Sequence, residues 1–179
     1  NGWRNAYGLQ FSRRDFRAEG EEAFVPPSLT RDIGLFALGE YDRERYKIEY
    51  GLRGDRIDVE AEDMPQQDFS SLSASFRGLW RSSEALHFSL AFDRAQRAPT
   101  AEELFSDGPH AATRSFEVGD INIDRETANQ LELAAHLHRG PLEAKLAAFA
   151  NRFDDYIYLA ETGLEEDELP VRLWTQADA

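Results

Sequence analysis

The chain has no cysteine. Disulfides and thiolate metal sites are therefore excluded. No stretch approaches the roughly eighteen consecutive apolar residues of a membrane-crossing helix. A membrane-crossing β-strand stays open, because its signal is only about ten alternating residues. Basic residues are scarce. There are 20 Lys and Arg against 34 Asp and Glu, a net charge of −14. That argues against non-specific nucleic-acid binding, which needs a basic face. There is no nucleophile elbow, no phosphate-cradling glycine loop and no convincingly placed acid–base pair, so the chain does not read as an enzyme. Its 179 residues suit one domain, and its first residue, Asn1, suggests a fragment or a processed product.

What is present is alternation. Tyr7, Leu9 and Phe11 lie on one face of the first run, with Gln10, Ser12 and Arg14 on the other. The same period of two recurs through Tyr46–Leu52, Leu72–Phe76, Leu86–Phe92 and Leu131–Leu137. Such runs are strands with one apolar and one polar face. The pattern predicts about eight antiparallel strands, near 4–17, 30–41, 45–60, 69–80, 85–96, 127–138, 142–158 and 172–179. Connections alternate in length. DRER (42–45), RSSE (81–84) and HRGP (138–141) are tight turns, whereas 18–30, 60–68, 97–126 and 160–172 are long. In an antiparallel meander every second connection falls on the same side, so one side carries only turns and the other only long loops.

Charge divides the same way. The four long connections hold 19 of the acidic and 4 of the basic residues, leaving 15 and 16 elsewhere. Two folds fit. In a soluble antiparallel sandwich the apolar faces meet in a core. In an outer-membrane barrel they meet lipid and the polar faces line the lumen, with short turns on one side and long loops on the other. Tyr41, Tyr46, Trp80, Tyr156, Tyr158 and Trp174, near strand ends, suit interfacial girdles or core packing. The loop asymmetry favours the barrel.

The longest connection carries a family resemblance. It reads RAPTAEELFSDGPHAATRSFEVGD (97–120), then INIDRETANQLELAAHL. This resembles the TonB-dependent outer-membrane receptors, in which R-x-P-[ST]-x-x-E-L-[FY] leads to F-E-x-G-[ND] and an acidic strand start. Arg97, Pro99, Thr100, Glu103, Leu104 and Phe105 match the first part. Phe116, Glu117, Gly119 and Asp120 match the second, followed by Glu126, Leu131, Glu132 and Leu133. Ile123 departs mildly from the usual Leu. NRFDDYIYL (151–159) resembles the family's next strand and GEEAFVPPSLT (20–30) an earlier loop. The GPHAAT segment, with His110 and Thr113, is similar to the branch that takes up zinc and is sometimes linked to haem.

The resemblance implies a transporter of the bacterial outer membrane, with a plug inside a 22-stranded barrel. Residues 1–179 would be a partial barrel domain without plug, TonB box or final strand. The implied partners are outer-membrane lipid, the parent's own plug and TonB complex, and a metal ion or metal chelate. Zinc or haem would be the transported substrate, with no resident cofactor implied. The rival readings are a soluble β-domain acting as a binding module and a passive porin- or adhesin-like barrel.

Two sets of residues are candidate sites. Pro99 stops strand pairing, and Thr100 with Glu103 has the form of a capping box opening a short helix over 101–105. Arg97, Pro99, Thr100, Glu103, Leu104, Phe105, Phe116, Glu117 and Gly119 are read as an anchor holding the loop to the barrel rim, with direct ligand contact as the alternative. His110, with Asp107, Glu117 and Asp120 near it in sequence, is the candidate metal site, since imidazole plus carboxylates suits zinc. Further ligands would come from GLEEDELP (163–170) or AEDMPQQD (61–68). His87 reads as lumenal and structural. His136 and His138 lie beside a short turn on the opposite side.

Overall fold

The computed structural model describes residues 2–18, 20 and 23–179. Glu21 and Glu22 of the GEEAFVPPSLT stretch lie outside them. Seven strands form one antiparallel meander: β1 (Trp3–Phe16), β2 (Ser28–Asp42), β3 (Tyr46–Ala61), β4 (Gln67–Arg81), β5 (Leu86–Arg97), β8 (Glu126–Arg139) and β9 (Leu142–Asp154). Between β5 and β8 lie the helix α1 (Ala101–Phe105) and two short strands, β6 (Asp107–His110) and β7 (Ser115–Val118). These two form a second sheet with β10 (Tyr156–Glu166) and β11 (Leu169–Ala177), in the order β10-β11-β7-β6.

Register shows how the two faces are used. Leu9 pairs with Leu35, Ala37 with Leu52, and Phe76 with Phe92, which in turn pairs with Leu131. These side chains share one face, and they are exposed: Leu9 is 66 % accessible, Leu35 65 % and Leu146 76 %. A soluble sandwich would bury this face. A continuous exposed apolar band is what a lipid-facing barrel wall presents. The opposite face carries Gln10, Asp32, Arg53, Asp55 and Ser71. Arg53 reaches Asp55 and Gln10, as buried or half-buried charge requires a partner.

Tight turns close one end. Arg43 N–H bonds Tyr46 C=O, Ser83 N–H bonds Leu86 C=O, and Gly140 takes a left-handed φ of 60°. Aromatics gather there on the lipid face, with Trp3 and Tyr41 rings 4.9 Å apart and Trp80 and Phe88 5.5 Å apart. Such amphipathic rings suit the membrane interface. Trp174 instead packs on the interior cluster.

Three expected boundaries move. The 60–68 connection shrinks because β3 and β4 stay paired as far as Val59 and Gln67. The 142–158 strand breaks at Asp155, whose φ of 57° leaves the strand conformation. The 160–172 loop is a hairpin. β10 and β11 pair up to Glu166 and Leu169 around Asp167 and Glu168, both at positive φ. Two successive left-handed residues make a turn whose twist matches the flanking strands. The simple meander also fails at one place, since β7 pairs with β11 in parallel, Phe116 beside Val171. The long connection folds back and covers an otherwise open strand edge.

Candidate functional site

The β5–β8 connection begins with a helix fixed by its first residues. Thr100 is the N-cap: its hydroxyl accepts from Glu103 N–H at 3.3 Å, while the Glu103 carboxylate accepts from Thr100 N–H at 2.7 Å. The same carboxylate accepts from Arg97 at 2.9 Å, and Arg97 also reaches Glu126 at 3.3 Å. Glu126 accepts Ile157 N–H at 3.0 Å. One guanidinium therefore ties the ends of β5 and β8 to the helix, and through Glu126 to β10.

The helix then delivers Leu104 and Phe105 into the apolar core, with Val59 of β3, Phe69 of β4, Ile123 and Ile157. Both are essentially inaccessible. Burying a side chain of this size contributes about 1.5–3 kcal/mol. Pro99 is buried beside the cap. Gly119 closes the circuit. Its N–H donates to Ser106 C=O at 2.7 Å, and a Cβ there would lie 2.6 Å from the Leu104 carbonyl carbon. Only glycine allows these two backbones to approach so closely. Phe116 sits between Pro109 and Val171 in the small sheet.

The hairpin β6–β7 places the second set. Asp107 N–H donates to Phe24 C=O at 2.8 Å, and the Phe24 ring stacks on the His110 imidazole at 4.2 Å between centroids. His110 Nδ1 lies 2.9 Å from Glu117 Oε1. At that distance the imidazole nitrogen and the carboxylate can share either a hydrogen bond or a cation. Glu117 Oε1 also accepts from the Thr113 hydroxyl at 2.6 Å and from Ser115 at 3.4 Å. Glu117 is 1 % exposed, and its other oxygen, Oε2, is buried with no hydrogen-bond partner among the described residues.

Glu102 completes the group. It precedes the capping glutamate, so it points to another side of the helix. Ligand atoms of Glu102, His110 and Glu117 all lie within 4.8 Å of one another. Asp107 and Asp120 fall outside this cluster. Asp107 is exposed, and Asp120 accepts from Asn122 N–H and side chain while its own N–H bonds Glu103 C=O. The acidic segments 61–68 and 163–170 supply no ligand to it either. Sequence reasoning missed Glu102, Phe24 and Ser115 as parts of the site. The doubled acid in PTAEELF was the available signal for Glu102.

Glu102 and His110 border a cleft of about 660 Å³, with Phe16, Phe24 and Arg14 on one side and Arg53, Asp55 and Ser71 of the interior wall below. One imidazole nitrogen and two carboxylates can hold a first-row divalent ion, leaving a position open toward the cleft. His87 and His136 lie far along the wall, directly opposite one another across β5 and β8.

Comparison with known proteins agrees with this architecture. Residues 1–169 match the model of the TonB dependent receptor-like β-barrel. Over 131 residues the chain is 31 % identical to the heme/hemopexin utilization protein C of Haemophilus influenzae (strain 86-028NP), covering 69 % of this chain and 18 % of that protein. The chain thus spans under a fifth of that relative's length. Among solved structures, the Serratia marcescens hemophore receptor HasR, in complex with its hemophore HasA and heme, superposes with a TM-score of 0.77 at 20 % identity, covering 99 % of this chain and 35 % of the receptor. The copper transporter OprC gives 0.76 at 17 % identity, over 99 % of this chain and 31 % of that one. The wall, its lipid-facing band and the matched residues lead to one conclusion: this chain belongs to the β-barrel family of TonB-dependent receptors, proteins of the Gram-negative outer membrane.

Proposed function

We propose that the parent receptor imports a metal ion or a small metal chelate, and that Glu102, His110 and Glu117 are its outer capture site. The observation that carries this reading is the orphaned Glu117 Oε2, buried beside the His110 imidazole in a cluster that Glu102 completes. A buried carboxylate oxygen without a donor is costly, and a bound cation removes that cost. Capture would be followed by plug rearrangement driven from the periplasm. Arg97, Thr100, Glu103, Leu104, Phe105 and Gly119 then serve as the anchor that presents Glu102 to the hairpin. Zinc fits the donor set directly. Haem is the second reading, favoured by the named ligands of the relatives. There His110 would be an axial ligand through Nε2, oriented by Glu117, and Glu102 would be dispensable.

Titration calorimetry of the full-length receptor in detergent separates these. For a bare ion, His110→Ala and Glu102→Gln each weaken zinc binding tenfold or more, about 1.4 kcal/mol. For haem, hemin binding falls with His110→Ala and is unchanged by Glu102→Gln. If neither substitution alters either affinity, the cluster is a loop brace and the capture-site reading is wrong.

A further inference from the structure

Three histidines of the wall stand apart from the outer cluster. His87 lies on β5, and His136 and His138 lie on β8. Phe88, Leu90 and Phe92 on β5 and Leu131 and Leu133 on β8 carry the exposed apolar face. Alternation therefore puts all three histidines on the lumen face. Register sets His87 directly opposite His136. The ladder runs on to His138, whose N–H donates to Ala85 C=O at 2.8 Å. The three rings thus share one patch of wall beside the tight turns, the periplasmic end of such a barrel.

Their spacing is that of a chelate. Directly opposed residues of an antiparallel pair have Cβ atoms about 4.5–5.5 Å apart, and positions two apart on one strand are separated by roughly 7 Å. Two imidazoles from one strand and a third from its neighbour can close on a tetrahedral ion, with the fourth position left to water. Their donor atoms do not all lie within 4.8 Å of one another, as those of the outer cluster do. The rings must turn inward to bind, so this site holds its ion less tightly. His136 and His138 are exposed and His87 is half-buried. Among the described residues none of the three has a side-chain hydrogen-bond or ion-pair partner, whereas His110 is held by Glu117.

Neighbouring charge permits a cation. Arg81, opposite His87, is drawn away by Asp42 at 3.1 Å and Arg43 C=O at 2.7 Å. Lys145 lies opposite His136, but Glu143 lies opposite His138 beside it. One row above the pair, at Ser89, a cavity of about 440 Å³ opens, lined by Glu49, Asp93 and Glu132 with Lys47 and Arg77. The patch is therefore reached through a polar lumen.

We propose that His87, His136 and His138 bind a late first-row divalent ion, zinc first among them, at the periplasmic mouth of the lumen. Three neutral nitrogen donors suit that class rather than magnesium or calcium, which take oxygen ligands. The site is argued from the wall alone. Its use as the last station of import, where weaker binding favours release, rests on the import reading above.

The test is zinc calorimetry on tag-free, full-length receptor in detergent, in a His110→Ala background that disables the outer cluster. One zinc should still bind. Adding His87→Ala or His136→Ala should weaken it tenfold or more, and Lys145→Ala should not weaken it. Heat-modifiable migration on gels verifies that each barrel is folded, and His138→Ala, at the end of its strand, gives the same reading if the other variants do not insert. A receptor that binds no zinc once His110 is lost overturns this site and leaves the outer one standing. Equal zinc binding by the His87, His136 and His138 variants marks an adventitious ion only and also overturns it, as does an equal loss in Lys145→Ala. If zinc binding depends on His87 and His136 but not on His110, this site stands and the outer capture site falls.

Discussion

Glu117→Ala in the full-length receptor is expected to abolish high-affinity metal binding and loosen the β6–β7 hairpin together. Glu117→Gln should weaken binding while leaving the hairpin ordered. The reason lies in what the two oxygens do. Oε1 accepts from Thr113, Ser115 and His110 Nδ1 at 2.6–3.4 Å. Alanine removes an acceptor shared by three groups, at about 1–3 kcal/mol for each buried group left unsatisfied, with Thr113 keeping His110 C=O and Ser115 within reach. Glutamine keeps a carbonyl oxygen for those donors. It replaces the orphaned Oε2 with an amide nitrogen, which cannot ligate a cation and removes the negative charge. Hydrogen exchange over 107–118 reads the hairpin, and zinc calorimetry reads the site. Retained tight binding in Glu117→Gln would show that Oε2 is not a ligand.

Gly119→Val should release the long connection from the barrel rim. The added Cβ would meet backbone on the other side, 2.6 Å from the Leu104 carbonyl carbon and 2.7 Å from Phe105 nitrogen. Backbone held by a capped helix has little room to give way. The helix must shift, pulling Leu104 and Phe105 from Val59, Phe69 and Ile157. Leu104→Ala tests the same seat from the other side. It should cost about 2–5 kcal/mol of local stability by deleting a buried side chain and leaving a cavity. Both variants should insert normally, because the lipid-facing band is untouched. Both should become sensitive to protease within 98–125 and bind zinc less tightly, since Glu102 rides on that helix. A protease-resistant Gly119→Val receptor would contradict the anchor.

The strands were legible wherever one face met lipid. Leu9, Phe11, Leu131 and Leu133 alternate cleanly because water and lipid select opposite residues on successive positions. Legibility ended where that selection ends. β10 and β11 run past the apolar band, and polar residues on both faces of Glu161–Glu166 erase the alternation, so a hairpin looked like a loop. The parallel pairing of β7 with β11 joins Phe116 to Val171, and no local pattern encodes a partner that distant. The site divided along the same line. Thr100 and Glu103 act on each other within one helical turn, so their capping box was readable. The choice of His110 and Glu117 came from proximity in sequence, and the β6–β7 hairpin does bring their side chains together, though His110 pairs with Ser115 in register. Asp107 and Asp120 were chosen on the same proximity and lie outside the cluster, Asp107 exposed and Asp120 accepting from Asn122. Glu102 reaches the imidazole only because the capped helix folds back toward the hairpin.

The most direct test of the capture site is a zinc-edge anomalous map from crystals of the full-length receptor soaked in zinc. A single strong peak should lie among the Glu102 and Glu117 carboxylates and the His110 imidazole, at about 2.0–2.2 Å from each ligand atom. A map with no peak there, or with zinc bound only at the exposed acidic residues of 163–170, would contradict it.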